Sequence, residues 1–368
     1  MAFDLHTAGV FEALLERWDG EEAVIRYDRD SGAWMFVCVH STALGPAGGG
    51  TRLRVYETPG HGLADAMRLS QAMTVKMAVA DTDRGGGKAV LAVPELPTGD
   101  ARRRLLLRYG ELVASLGGSY RTAGDMNISP ADLDVVAEVC PWVYGTTGAG
   151  GNSGRGTARG VLHGIRAGLE HVFGSPDLAG RSVLVQGVGA VGYDLTRMLA
   201  ADGARVLVSD VDPELAASVA AEVGGSVVPP GEAIAAECDV FSPCAVGGIL
   251  DAESIPRLRC RIVAGSANNQ LAAPEDAERL HAAGILYAPD FVVNAGGVLQ
   301  LLGLEELGWD EAELERHLAA IGDTLRRLYR DAERDGGTPA AAAERLVADR
   351  LQQPAAAPGP GLLARPRI

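Results

Sequence analysis

Two lysines, Lys76 and Lys88, stand in sequence contexts that indicate a role in binding or catalysis. Lys76 follows Leu69 and Met73 at helical spacing, so a helix would carry its ammonium group on an apolar stripe. Lys88 follows three glycines at residues 85–87 and opens an apolar run, so we expect open space beside its amine. A partly desolvated lysine beside a second cation has a lowered pKa and can act as a general base. We therefore expect Lys76 to meet an anion such as a ligand carboxylate and Lys88 to be a base; the alternative for each is a solvated lysine.

Asp125 is the nearest acid with a candidate role, in the segment TAGDMN at residues 122–127. An aspartate in such a loop is often a turn or helix-cap residue. Its spacing to the two lysines does not by itself select it as a catalytic group.

A glycine-rich turn, GVGAVG at residues 187–192, is the second candidate site. It follows the apolar run SVLVQ and precedes a helical pattern, the context that a dinucleotide-binding fingerprint requires. Gly187 permits the tight turn, Gly189 lets the backbone approach a pyrophosphate, and Gly192 lets helix and strand pack closely. Asp210 ends the next strand, where its carboxylate would bind ribose hydroxyls, and no cation follows it directly. The pattern favours NAD over NADP; the alternative is a glycine turn that binds no nucleotide.

The elements that must position Lys88 belong to the first part of the chain. Apolar runs on both sides of a turn at residues 30–32 predict a hairpin over residues 23–40. Helical patterns at residues 62–80 and 101–116 enclose a buried strand at residues 88–93.

Strands and helices alternate after residue 182, which is typical of a doubly wound parallel sheet. We predict strands at residues 182–186, 204–209, 240–241, 262–264 and 285–287, and helices at residues 190–202, 213–223 and 311–333. The Gly-, Ser- and Thr-rich stretch at residues 143–160 is expected to join two domains and to lead into a helix near Thr157. The predicted fold class is therefore α/β with two domains, the second of Rossmann type.

Composition narrows the classes of partner. The 368 residues carry a net charge of −15, which argues against nucleic acid and anionic membranes as partners. The five cysteines show no metal-binding spacing to histidines, so we expect no metal site. The beginning of the sequence does not resemble a secretory signal and no run is long enough to span a membrane, so we expect a cytoplasmic protein.

Seven segments together resemble the amino-acid dehydrogenase superfamily, and within it the leucine, phenylalanine and valine dehydrogenase branch. They are GPAGGGTR (45–52), MTVKMAVADTDRGGGKAV (73–90), the loop around Asp125, QGVGAVG (186–192), CDVFSPCAVGG (238–248), VAGSANNQ (263–270) and LYAPDFVVNAGG (286–297). The resemblance runs from about residue 18 to residue 350. The sequences of these segments are most similar to those of phenylalanine dehydrogenases, whereas HSTALGP at residues 40–46 also resembles valine dehydrogenases.

The resemblance implies reversible oxidative deamination of an L-amino acid to a 2-oxo acid and ammonia. It implies a substrate-binding and catalytic domain at residues 1–147, an NAD-binding domain at residues 148–310 and a cleft between them. The helical stretch at residues 311–350 would brace the first domain, and the Pro- and Ala-rich tail at residues 353–368 is expected to be flexible. A homo-oligomer, either a dimer or a larger even assembly, is also implied.

Site roles follow from the same resemblance. Lys88 would activate water as the base, Asp125 would shuttle protons, and the charge of Lys76 would help to keep Lys88 neutral. The substrate carboxylate would be bound by Lys76, the backbone of Gly49 and Gly50, and Asn268. Cofactor contacts would come from Gly187, Gly189, Ala190, Val191, Gly192, Asp210, Ser153 and Thr157, with a nicotinamide pocket around Pro243, Cys244, Ala245 and Asn294. Arg155 would touch a phosphate or be solvated.

The substrate side chain would be shaped by Ala123 and Val298, a pairing that resembles leucine enzymes more than phenylalanine enzymes. A hydrophobic pocket discriminates one methylene by only about 1–3 kcal/mol, so we expect a range of neutral apolar amino acids. Two alternative functions remain open from the sequence. One is a non-catalytic NAD-binding sensor or scaffold, which would have no need for Lys76, Lys88 and Asp125 together. The other is a dehydrogenase of specialised metabolism that acts on an aromatic amino acid, as some relatives do on tryptophan.

Overall fold

The computed structural model describes residues 8–148 and 153–352, with side chains from residue 12 onward. They divide into two units. The first contains residues up to 148 together with residues 347–352, and the second contains residues 153–346. Predictions for residues 149–152 of the junction and for the tail at residues 353–368 lie outside the described residues.

The first unit is built on a five-stranded mixed sheet. Its elements in chain order are α1 (Ala8–Trp18), β1 (Glu22–Asp28), β2 (Ala33–Ser41), β3 (Ala47–Val55), α2 (Pro59–Val79), β4 (Gly85–Val93), α3 (Gly99–Ser115), β5 (Tyr120–Gly124) and α4 (Pro130–Ala137). The strand order is β1-β2-β4-β3-β5. The predicted hairpin is confirmed as the antiparallel pair β1–β2, while β3 pairs in parallel with both β4 and β5.

Strand β4 lies at the centre of the sheet, and all nine of its residues are buried. Because successive side chains of a strand point to opposite faces, Ala89 and Leu91 join the apolar core that contains α3, and Val90 and Ala92 join the core that contains α2. The sheet therefore has an α2 face and an α3 face. Lys88, one residue before Ala89, belongs to the α2 face.

The glycines at residues 85–87 differ from the prediction. They do not form an open floor beside Lys88, because they are buried residues of β4 itself. A Cβ added at Gly85 would lie 1.9 Å from the carbonyl oxygen of Ser41, and one at Gly86 would lie 2.0 Å from the backbone nitrogen of Thr74 on α2. These glycines let the neighbouring strand and helix approach β4 closely, so their physical role is packing.

The second unit contains a six-stranded, fully parallel sheet. Its elements are α5 (Ser153–Phe173), β6 (Ser182–Gln186), α6 (Ala190–Ala201), β7 (Arg205–Ser209), α7 (Pro213–Val223), β8 (Ser226–Val227), β9 (Val240–Pro243), β10 (Ile262–Val263), α8 (Asp276–Ala282), β11 (Leu286–Tyr287), α9 (Asp290–Val293), α10 (Gly296–Leu302), α11 (Glu311–Asp335) and most of α12 (Pro339–Gln352). The order β11-β10-β9-β6-β7-β8 is that of a dinucleotide-binding doubly wound sheet. The five predicted strands are confirmed within two residues at each end.

Helix α11 belongs to the second unit, and the expectation that residues 311–350 brace the first domain stays a prediction. Its buried stripe of Leu314, Leu318, Ile321 and Leu325 packs against α5 in the second unit. Glycines of α5 permit the close approach, since a Cβ added at Gly160 would lie 2.8 Å from Ile321. Within the predicted bracing stretch at residues 311–350, the residues that group with the first unit are 347–350.

Helix α5 begins at Ser153, earlier than the predicted start near Thr157. No helix within the described residues is both long and apolar enough to span a bilayer.

Candidate active site

The register of the first sheet brings Lys88 and Asp125 together. Thr51 on β3 lies opposite Ala89 on one side and opposite Gly124 on the other. The residues next to these, Lys88 and Asp125, therefore share the α2 face of the sheet. The distance from Lys88 Nζ to Asp125 Oδ2 is 2.9 Å.

Burial and charge shape the acid–base properties of this pair. Burial is the largest effect on Lys88 and lowers its pKa, the positive charge of Arg52 lowers it further, and Asp125 opposes the shift. For Asp125, burial works to raise the pKa, but ion pairs with Lys88 and Arg52 outweigh it, and the net pKa is lowered. The pair therefore holds a lysine shifted toward its neutral form beside an ionised carboxylate. A lysine poised in this way can take a proton from water.

Arg52 and Asp65 are two polar residues of this site to which sequence reasoning gave no role. Arg52 Nε lies 2.9 Å from Asp125 Oδ2, and Arg52 Nη1 lies 2.9 Å from Asp65 Oδ2 on α2. Arg52 is the last residue of the segment GPAGGGTR, but its spacing to Lys88 and Asp125 in the sequence did not indicate a contact. Asp65 lies eleven residues before Lys76, three helical turns away on the same side of α2, and this spacing was the signal available.

Lys76 lies half-buried in the last turn of α2, as the sequence predicted. Its expected contact with a carboxylate stays a prediction. Arg52 is a cation that lowers the pKa of Lys88, and the expected effect of Lys76 on Lys88 also stays a prediction.

Gly49 and Gly50 are part of β3, where the sheet is tightly packed. A Cβ at Gly49 would lie 1.8 Å from the carbonyl oxygen of Gly87, and one at Gly50 would lie 2.6 Å from that of Gly124. The buried hydroxyl of Tyr120 donates a hydrogen bond of 2.8 Å to the Gly49 carbonyl and fixes that peptide. Half-buried Ala123 pairs with Gly50 from β5, so the predicted substrate residues Gly50 and Ala123 are neighbours.

The glycine turn of the second unit has the geometry that its spacing predicts. Gly187 has φ +91°, and a Cβ there would lie 2.6 Å from Ala245. A Cβ at Gly192 would lie 1.9 Å from the carbonyl oxygen of Gly187, so this glycine allows helix α6 to pack on its strand. Gly189 is the N-cap of α6, has no capping side chain and is exposed with open space around it.

Asp210 follows β7 and contacts the same turn. One of its carboxylate oxygens accepts a hydrogen bond of 2.8 Å from the backbone of Val188, and the other accepts one of 3.0 Å from the backbone of Asp212. Ala190 is exposed and Val191 is half-buried at the start of α6. The carboxylate, the turn and the helix start therefore lie together at the carboxyl ends of β6 and β7.

The predicted nicotinamide-pocket residues come from two neighbouring regions. Pro243 ends β9, and the backbone of Cys244 donates a hydrogen bond of 2.7 Å to Gln186 at the end of β6. Asn294 is buried, and its amide nitrogen donates to the side-chain oxygen of Asn268 at 2.9 Å. Its own side-chain oxygen is buried without a hydrogen-bond partner among the described residues.

Ser153 and Thr157 lie half-buried in the first turn of α5, where the Thr157 hydroxyl donates 3.0 Å to the Ser153 carbonyl. Half-buried Val298 lies on α10, which packs against α5. Arg155 is exposed on α5.

These residues fit a dinucleotide. An uncapped helix N-terminus offers backbone N–H groups to a phosphate, the exposed Gly189 leaves room for close approach, and the Asp210 carboxylate lies beside the same turn. The second unit is thus a dinucleotide-binding domain of the dehydrogenase class.

Comparison with known proteins gives the family. Residues 23–147 match the model described as Glu/Leu/Phe/Val dehydrogenase, dimerisation domain, and residues 213–359 match the model described as Glutamate/Leucine/Phenylalanine/Valine dehydrogenase. The chain belongs to this family of amino-acid dehydrogenases, as the sequence resemblance indicated, and is an oxidoreductase that deaminates an amino acid with a nicotinamide cofactor.

Relatives match along nearly the whole chain. A leucine dehydrogenase of Geobacillus stearothermophilus is 37% identical over 92% of both chains, and a valine dehydrogenase of Streptomyces virginiae is 43% identical over 93% of this chain and 97% of its own. The crystal structure of L-tryptophan dehydrogenase from Nostoc punctiforme is similar with a TM-score of 0.80 and 37% identity, over 93% of this chain and 98% of the other.

Proposed function

We propose that this protein catalyses the NAD-dependent, reversible oxidative deamination of a neutral apolar L-amino acid to the 2-oxo acid and ammonia. The observation that carries the proposal is the contact between the buried Lys88 amine and Asp125. A lysine with a lowered pKa beside an ionised carboxylate is suited to activating water at a carbon–nitrogen bond.

The first unit supplies the acid–base groups. Lys76, the backbone of Gly49 and Gly50, and Asn268 would be the ligands of the substrate carboxylate. Lys88 would accept the proton of the water that attacks the substrate iminium carbon. Asp125 would carry protons to and from the departing ammonia, because it lies within hydrogen-bond distance of Lys88.

The second unit would hold NAD through the glycine turn and Asp210. Bound NAD supplies the hydride acceptor of the reaction. Asp210 would accept hydrogen bonds from the ribose hydroxyls, and the next residues, Val211 and Asp212, carry no positive charge that would favour a 2′-phosphate. Ser153, Thr157 and the residues around Asn294 would complete the cofactor contacts.

The substrate class is supported by the relatives, which are leucine and valine dehydrogenases. Ala123 and Val298 are both partly accessible and would bound the side-chain pocket. A specialised aromatic substrate is the second candidate, because the L-tryptophan dehydrogenase structure shares 37% identity with this chain. Assembly as a homo-oligomer is supported by the dimerisation-domain description that matches residues 23–147.

The deciding experiment is a panel of L-amino acids assayed for cofactor reduction at mildly alkaline pH, with NAD and NADP in parallel. We expect turnover of leucine, valine or phenylalanine with NAD, little turnover with NADP, and none with the D-enantiomers. Tryptophan as the best substrate would favour the second candidate. Turnover of glutamate alone, or of no amino acid, would contradict the proposal.

A further inference from the structure

Arg52 lies between two carboxylates on the α2 face of the first sheet. Its Nε lies 2.9 Å from Asp125 Oδ2, and its Nη1 lies 2.9 Å from Asp65 Oδ2. Only 16% of the Arg52 side chain is exposed, so both pairs are largely shielded from water. A guanidinium presents its donors in a rigid planar fork, so it can hold two carboxylates at a fixed separation.

Asp65 is itself held in place from two sides. The hydroxyl of Tyr56 donates to Asp65 Oδ2 at 2.7 Å, and Arg68 Nη2 donates to Asp65 Oδ1 at 2.8 Å. Burial raises the Asp65 pKa, but the bonds from Tyr56, Arg68 and Arg52 outweigh it, so the net pKa is lowered. Asp65 is therefore a fixed anionic anchor for Arg52.

Lys88 and Arg52 share one oxygen of Asp125. Lys88 Nζ and Arg52 Nε each lie 2.9 Å from Oδ2. Oδ2 is therefore the carboxylate oxygen that both cations contact. When Lys88 is neutral, Arg52 is the cation that still holds Asp125 in position.

We propose that Arg52, anchored by Asp65, is a positioning residue that orients Asp125 for proton transfer and keeps it placed while Lys88 changes protonation state. The inference rests on the proposed roles of Lys88 and Asp125 in deamination. It assigns the segment GPAGGGTR a second role besides the close packing of its glycines.

The charged groups around this pair decide the direction of its pH dependence. Strand β3 contributes Arg52, α2 contributes Asp65 and Arg68, and Lys76 lies on the same helix. Burial lowers the Lys88 pKa, Arg52 lowers it further, and Asp65 raises it. Removing the Arg52 charge therefore raises the Lys88 pKa, and the pH at which deamination begins moves upward.

The central variant is Arg52→Met, studied in the full chain with the best substrate of the panel. A displaced proton-transfer group can cost about 100-fold in rate, so we expect kcat for deamination to fall roughly 10- to 100-fold. KM for the amino acid should change little if Arg52 acts through its contact with Asp125. The acid limb of the kcat/KM profile should move to higher pH. Arg52→Lys keeps the charge without the fork, and should return the acid limb toward its original position while kcat recovers in part.

A second variant, Asp65→Asn, tests the anchor without altering a contact of Asp125. We expect kcat to fall in the same direction as in Arg52→Met. The acid limb should not move to higher pH, because losing a negative charge near Lys88 lowers its pKa. A loss of stability alone would not produce these opposite pH shifts.

Arg159→Met is the matched control. Arg159 is also an arginine with a mostly buried side chain that contacts two carboxylates, Glu311 and Glu315. It lies in the second unit on α5, so its loss should lower the melting temperature without moving the pH profile.

Wild-type kcat and pH profile in Arg52→Met would overturn the role of Arg52. If that variant does not fold, wild-type kcat in Asp65→Asn would overturn it instead. Absence of turnover in the unsubstituted protein would overturn the proposed function, and with it this inference.

Discussion

Charged side chains form the site of the first unit, whereas backbone geometry forms the site of the second. Lys88, Asp125 and Arg52 come from three segments and meet because β3 pairs with β4 and β5 in one register. The proposed dinucleotide site is one short turn that begins with Gly187 at positive φ, and Asp210, which follows the next strand, contacts this turn. The first arrangement depends on long-range pairing, the second mostly on local sequence.

Lys88→Ala is expected to have the largest effect and to separate the two sites. General acid–base catalysis contributes about 100- to 10,000-fold, so kcat should fall by roughly that factor. NAD binding, followed by quenching of protein fluorescence or by calorimetry, should be retained because the glycine turn lies in the other unit. Turnover equal to that of the unsubstituted protein would refute the role of Lys88.

Gly189→Ala is the corresponding change in the second unit. Nothing lies within 4 Å of an added Cβ at this position, so the fold should tolerate it and the melting temperature should not change. If a pyrophosphate approaches this backbone, NAD affinity should fall by about tenfold, equal to about 1.4 kcal/mol. Gly231→Ala is the matched control, since an added Cβ there also meets nothing, and it should alter neither quantity. Unchanged NAD affinity in Gly189→Ala would contradict close approach of the cofactor.

Asp210→Ser is expected to narrow the preference for NAD over NADP. Loss of one charge-assisted hydrogen bond costs about 1.5–3 kcal/mol, so kcat/KM with NAD should fall roughly tenfold or more while that with NADP changes less. The ratio of the two kcat/KM values is the measurement. An unchanged ratio would mean that Asp210 serves only its backbone contacts with Val188 and Asp212.

The contrast between the two sites also explains which features the sequence could predict. Helix α7 was predicted with both ends correct because its signals are local: Asp212 caps it, Pro213 starts it, and Gly224 ends it in the left-handed region. The roles of Lys88 and Asp125 in one reaction were expected from family resemblance. Spacing could not predict their contact, because the contact depends on the β3 register.

The errors have the same physical origin. The glycines at residues 85–87 looked like a loop because glycine is common in loops, whereas here a strand and a helix pack against their backbone. Arg52 and Asp65 were missed because an ion pair between a strand and a helix leaves no fixed spacing in the sequence. The apolar stripe of α11 predicted a packed helix but did not identify α5 as the surface that covers it.

Asp132 should show the smallest effect, because it is a structural carboxylate of the first unit outside the site. It accepts hydrogen bonds from the backbone and side chain of Ser129 in a capping box and pairs with Arg102. Burial raises its pKa, but these bonds outweigh it, and the net pKa is lowered to about 2. Because the folded pKa lies below the unfolded value, the stabilisation is present above about pH 4 and is lost as the pH falls toward 2.

Asp132→Ala should therefore lower the free energy of unfolding by about 1 kcal/mol at neutral pH, a typical value for a lost hydrogen bond, because it removes the N3 residue of the capping box. In urea titrations the difference from the unsubstituted protein should shrink as the pH falls from about 4 toward 2, because the carboxylate becomes protonated in both states. The pH profile of kcat/KM should stay unchanged, since Asp132 makes no contact with Lys88 or Asp125. A shifted profile would show that the charges of the first unit act together, and would remove the distinction between its catalytic and structural carboxylates.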